Sequence, residues 1–120
     1  MGFVYAKTEV TNIMGGDEKY YMPFLVDTGA TDMIIPAGEL ERLGVKREDK
    51  QKYELADGTV VTYDVGYAFL CVNGKKVVAN VIFGEDKSEP LLGVTALESA
   101  GFIVDPVNRI LRKIEAIPLK

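Results

Sequence analysis

Asp27, Thr28 and Gly29 directly follow an apolar run, Phe24-Leu25-Val26. An aspartate placed there can do one of two things. It can cap the amides of the turn that follows, or it can hold a carboxylate at the end of a strand for acid–base work. The triplet alone arises by chance in roughly a few per cent of chains this long, so the turn reading stands beside the chemical one. Composition removes the competing chemistries. The chain has no histidine, which excludes Ser-His and Cys-His nucleophilic mechanisms. Its one cysteine, Cys71, can form neither an internal disulfide nor a thiolate zinc site. Carboxylates, hydroxyls, amines and main-chain amides remain, and no metal or other cofactor is expected.

Short strands punctuated by turns must position that aspartate. Phe3-Val4-Tyr5 and then Thr8, Val10 and Ile13 predict an opening strand, Met14-Gly15-Gly16-Asp17 a turn, and Tyr20 to Val26 a second strand. Met33-Ile34-Ile35 predicts a short buried strand ended by Pro36, and Glu39 to Leu43 a short helix capped by Gly44. The run from Lys46 to Lys50 mixes both charge signs and reads as a solvated loop. Tyr53-Glu54-Leu55 enters a strand, and Asp57-Gly58 is a hairpin signal between β formers. Val60 to Val72 predicts a long strand with Gly66 as the place for a bend. Asn73-Gly74 predicts a second hairpin of the same kind, with Val77 to Phe83 returning. Cys71, inside this apolar stretch, is expected as a buried thiol. Leu91-Leu92-Gly93 reads as a short apolar strand, and Thr95 as the cap of a helix over Ala96 to Ala100, stopped by Gly101. Phe102-Ile103-Val104 and the segment with Ile110, Leu111 and Ile114 flank a turn at Asp105-Pro106-Val107-Asn108. No repeat or linker interrupts the pattern, so the expectation is one mainly β domain over residues 1–120 with two short helices.

The ordered set of motifs resembles one family. The stretch Phe24-Leu25-Val26-Asp27-Thr28-Gly29-Ala30-Thr31 is similar to the active-site loop of the aspartic proteases, where apolar residues precede Asp-Thr-Gly-Ala or Asp-Thr-Gly-Ser. Their second hallmark, an apolar-apolar-Gly triplet before a helix, is matched by Leu91-Leu92-Gly93 and Val94-Thr95-Ala96-Leu97-Glu98. Between the two, Asp57-Gly58 lies where the family carries its flap tip. The resemblance covers roughly residues 3 to 105, and the size fits the retropepsin-like members, each chain of which supplies one aspartate. It implies a closed β-barrel of the retropepsin (acid protease) type with a flap hairpin, and leaves 105–120 as a C-terminal extension of a minimal domain.

The resemblance also implies roles. Asp27 is the catalytic carboxylate of an aspartic endopeptidase acting on extended peptide or protein substrates. Peptide hydrolysis of this kind needs one group to activate water and another to deliver a proton. Two carboxyls about 3 Å apart, as in known aspartic proteases, share one proton because both cannot ionise so close together. The pair titrates as a unit and gives a bell-shaped pH profile. This chain carries a single Asp-Thr-Gly, so a homodimer must bring the second aspartate to a two-fold axis. Thr28 is expected to bond across that axis, Gly29 to accept a hydrogen bond from substrate, and Ala30 to line the pocket. Asp32 is expected to contact substrate backbone or to cap the loop. Ala56, Asp57 and Gly58 are expected to close over the substrate, and Leu91, Leu92 and Gly93 to support the loop from below. Tyr63 is expected to pack in the sheet, with a hydrogen bond near the site as its other role.

Two departures matter. Viral retropepsins usually have Asp after Asp-Thr-Gly-Ala and Arg after the later triplet, an ion pair that braces the dimer. Thr31 and Val94 stand there instead, which points to a cellular rather than a viral type. The flap region holds only Gly58, which predicts a less mobile flap. A non-catalytic peptide-binding or dimerisation module of the same fold is the alternative, and a small barrel without an active site is a third reading. The net charge of -4, without a clustered basic face, argues against nucleic acid as a partner. No apolar run approaches the roughly 20 residues of a membrane-spanning helix. Without a disulfide framework or a signal pattern, a cytoplasmic location is expected.

Overall fold

The structure, a computed structural model, describes residues 3–116 and 119. Its elements run β1 (Tyr5–Asn12), β2 (Tyr20–Asp27), β3 (Met33–Pro36), α1 (Ala37–Arg42), β4 (Asp49–Glu54), β5 (Val60–Val72), β6 (Lys75–Gly84), β7 (Leu91–Gly93), α2 (Val94–Ser99), β8 (Phe102–Asp105) and β9 (Ile110–Lys113). The 13-residue β5 organises them, because it is long enough to serve three neighbours. Its first half pairs antiparallel with β4 to make the flap hairpin. Its second half pairs with β1, while β6 runs beside it from Val65 to Val72. The circuit β1-β2-β7-β3-β6-β5 closes back on β1, so the expected barrel forms, with β4 attached outside it.

Alternation along β5 shows why the barrel closes. Gly66, Ala68, Leu70 and Val72 are buried, whereas Tyr67 is exposed and Phe69 and Cys71 are half-buried on the outer side. Phe24, Met33, Ile35, Leu40, Leu92 and Leu97 fill the interior with essentially no exposure, each contributing roughly 1.5–3 kcal/mol of burial. The buried hydroxyl of Thr8 donates to the carbonyl of Ala6 at 3.0 Å, so it enters the core without an unmet partner.

Several local expectations change. Cys71 is half-buried rather than buried, because it falls on the outward parity of β5. Asp49 and Lys50 belong to β4 and not to a loop, since pairing with β5 imposes strand structure on a charged segment that would not choose it alone. The two hairpin turns differ in kind. Asn73 and Gly74 both have positive φ, 47° and 82°, and join β5 to β6 in a two-residue turn. At the flap only Gly58 is left-handed, at 87°, and its amide donates to Leu55 O at 2.9 Å. Leu55 therefore belongs to the turn and not to the strand. Gly66 stays paired with Val81; a Cβ there would lie 2.3 Å from the carbonyl oxygen of Lys46, so close backbone approach explains this glycine. Thr95 does not cap α2: Gly93 holds the N-cap position, with no side-chain cap.

The extension expected over 105–120 folds back. Strand β9 pairs with β8, Leu111 packs against the core, and the amide of Ile114 donates to Gly101 O at 2.7 Å. Residues 117, 118 and 120 lie outside the described residues. Among the described residues no helix is long and apolar enough to cross a membrane.

Candidate active site

Asp27 is the last residue of β2, where three parallel pairings bring the two family-like motifs side by side: Leu25 with Leu91, Val26 with Leu92, and Asp27 with Gly93. The reason lies in residue size. A Cβ on Gly93 would sit 2.6 Å from the carbonyl oxygen of Asp32 and 2.7 Å from that of Thr31, so only glycine lets the loop lie on β7. Leu92 is fully buried in the core, as expected, whereas Leu91 is only half-buried and lies outside the core cluster.

The loop is held mainly by its own backbone. The amide of Ala30 donates to Asp27 O at 3.1 Å, the amide of Val94 to Ala30 O at 2.9 Å, and that of Thr95 to Thr31 O at 3.3 Å. Positions 31 and 94, which lack the ion pair of viral retropepsins, thus lie in segments joined by main-chain hydrogen bonds. Asp27 Oδ1 accepts from the amide of Gly29 at 2.9 Å. That contact is an Asx turn, so the plain reading of the triplet is correct as far as it goes. It occupies one carboxylate oxygen. Among the described residues nothing in the chain donates to Oδ2, and the side chain is only half-buried. A carboxylate with one oxygen fixed and the other free is suited to hold a water or share a proton. Thr28 and Gly29 are exposed at the tip of the loop, and Ala30 is half-buried.

Asp32 accepts a hydrogen bond from the hydroxyl of Tyr53 at 2.8 Å. Burial first, and then the Asp32 carboxylate, push the Tyr53 phenol above its usual range, so the phenol keeps its proton and donates. Tyr53 and Asp32 line a cleft of 450 Å³ between β4 and the loop after Asp27, together with Thr31, Lys52, Glu54 and Tyr67. The turn Ala56-Asp57-Gly58 is exposed, with the hydroxyl and amide of Thr59 holding the Asp57 carboxyl below its ordinary range. Among the described residues no hydrogen bond joins that turn to Asp27 within one chain. Tyr53 is the residue the sequence reading missed. Tyr63 packs at 6.2 Å from the Tyr53 ring, in the packing role expected of it.

The comparisons with known proteins agree with this geometry. Residues 16–99 match the family described as "gag-polyprotein putative aspartyl protease". The chain belongs to the retropepsin-like aspartic proteases. Its fold is shared with the simian foamy virus (mac) protease, at 21% identity and a TM-score of 0.56 over 78% of this chain and 91% of that one. EIAV protease, in complex with the inhibitor HBY-793, is similar at 16% identity and a TM-score of 0.55 over 83% and 89% of the two chains. A retropepsin-like aspartic protease from Rickettsia conorii is similar at 23% identity and a TM-score of 0.55, over 87% and 77%. No curated protein matches the chain in sequence. The family match spans both the Asp27 loop and the Leu91-Leu92-Gly93 support, so family membership and site geometry rest on the same residues.

Proposed function

We propose that this protein is an aspartic endopeptidase that works as a homodimer, with Asp27 and Asp27 of the partner subunit sharing one proton and one water. The observation that carries the proposal is the state of Asp27 in a chain of this family: Oδ1 tied to Gly29 and Oδ2 without a donor among the described residues, at the end of β2 beside Gly93, which lets the loop that follows lie on β7. One carboxyl cannot be acid and base at once, so the chemistry calls for the second. In the dimer, one carboxylate draws a proton from water as the water attacks the peptide carbon. The protonated partner protonates the carbonyl oxygen, and collapse of the tetrahedral intermediate returns a proton to the leaving amine.

The neighbouring loop residues and the flap take the remaining roles. The Thr28 hydroxyl bonds across the axis to the partner loop. The Gly29 carbonyl accepts from an extended substrate, and Ala30 leaves room beside it. The turn Ala56-Asp57-Gly58 closes from above, with the substrate held as an added strand. Incubation of the purified protein with an unstructured polypeptide tests the proposal. Cleavage is expected, lost on Asp27→Asn and blocked by a statine-type transition-state mimic. Cleavage that survives Asp27→Asn rejects the mechanism. Peptide binding without turnover, insensitive to Asp27→Asn, marks the non-catalytic reading of the same fold.

A further inference from the structure

The flap hairpin carries one hydrogen bond that the proposed chemistry does not use. Tyr53 stands next to the end of β4, the outgoing arm of the hairpin, and Asp32 directly precedes β3 in the loop after Asp27. Their 2.8 Å contact joins an arm that projects from the barrel to the loop that holds the candidate catalytic group. The other polar side-chain contacts of β4 stay local: Lys50 Nζ reaches Asp64 on β5 at 2.6 Å, and Gln51 reaches its own neighbour Lys52. Among the described residues, Tyr53 to Asp32 is thus the one hydrogen bond from β4 to anything outside the hairpin. The phenol is aimed by packing as well, since its ring meets that of Tyr63 at 6.2 Å and 57°.

We propose that this bond is a latch, in which Asp32 holds the Tyr53 hydroxyl and thereby sets the resting position of the flap over the active-site loop. Tyr53 is then a positioning residue for substrate binding, and Asp32 anchors the flap rather than serving only as a substrate contact. The part of this that concerns substrate rests on the protease reading above. The physical gain is preorganisation. A hairpin already fixed close to its turn loses less freedom when its tip closes on a peptide. The donor is neutral and the acceptor a carboxylate, which places the bond among the stronger ones. Its loss is worth about tenfold in the local opening equilibrium.

Tyr53→Phe tests the latch, because it keeps the ring on Tyr63 and removes only the hydroxyl. Hydrogen exchange on the substrate-free protein is expected to run about tenfold faster at the amides of Leu55 and Gly58, with barrel amides in β1 and β6 unchanged. Asp32→Ala is expected to do the same, the double variant no more than either single, and Asp32→Asn, which keeps an acceptor oxygen, less. In the active enzyme Tyr53→Phe raises KM severalfold and changes kcat less. Wild-type exchange at Leu55 and Gly58 in Tyr53→Phe overturns the latch. So do additive effects in the double variant, or an unchanged KM. A protein that cleaves nothing defeats the protease reading, and the exchange measurement still decides the latch.

Discussion

Gly93 shows how a single residue type positions the chemistry. The carbonyl oxygens of Thr31 and Asp32 come so close that any side chain at 93 would push the loop off β7. Both are backbone atoms in a loop pinned by hydrogen bonds to Val94 and Thr95, so neither can swing aside as a flexible side chain would. Gly93→Ala is therefore expected to cost about 1–3 kcal/mol, the range for forced overpacking, and to displace Asp27 from its pairing. Urea denaturation measures the first effect and cleavage rate the second; a variant as stable and active as the parent contradicts the account. At this scale the sequence was legible where a residue's type is dictated by backbone geometry or by chemistry. Gly93 signalled itself as the glycine of an apolar-apolar-Gly triplet, and Asp27 and Gly29 stood out as parts of a motif. Tyr53 did not, because a tyrosine between Lys52 and Glu54 gives no periodic signal and its partner is 21 positions away.

Elements were legible where their own residues decided them. The second half of β5 was legible as a strand from its apolar run between turn signals, though not which residues face inward, as Cys71 shows, and β2 was legible from its aromatic and apolar residues. Elements that exist because a neighbour imposes them could not. Asp49-Lys50-Gln51-Lys52 has no strand propensity, yet it pairs residue for residue with Val65 to Thr62. The β8–β9 hairpin has its own internal tie. Asp105 accepts from the amides of Val107 and Asn108 at 3.0 and 3.1 Å and faces Arg112. Arg112 above all, then Asn108, hold its carboxyl well below the ordinary carboxylate range. A group with a depressed folded-state pKa stabilises the fold above its unfolded pKa, about 3.9 for Asp. That contribution fades as pH falls through the folded value. Asp105→Asn keeps an acceptor for the turn but removes the charge facing Arg112. The variant is expected to melt below the wild type at pH 7, with the gap shrinking as pH drops below about 4. Thermal melts at stepped pH check this, and a gap constant down to strongly acid pH contradicts it.

For the whole molecule, the decisive feature is that one chain presents one Asp-Thr-Gly. The closed barrel was legible only through the family resemblance, because the pairings that close it, β1 with β5 and β2 with β7, join segments far apart in the chain. The turn after Val104 was legible, but the fold-back of β9 onto β8 was not. How two copies would meet was not, since no local pattern encodes a two-fold axis. The loop tip offers a consequence that can be measured. Thr28 and Gly29 are exposed in the single chain, free to meet a partner. Asp27→Asn keeps the oxygen that accepts from Gly29, so the variant should fold and dimerise like the parent. A mixed dimer then carries one carboxylate and one amide; the amide can neither share the proton nor deliver it to the carbonyl oxygen, so the mixed dimer is inactive. When equal amounts of parent and variant are mixed and allowed to exchange subunits, dimers form at random. The activity of the mixture is expected to fall to about half of that shown by the parent alone at its own concentration. Without exchange, or if each chain works by itself, adding the variant leaves activity unchanged. Incubating the mixture below the dimer dissociation constant and then concentrating it separates those two cases. If exchange is shown by mass-labelled subunits and activity is still undiminished, Asp27 does not act as half of a shared pair.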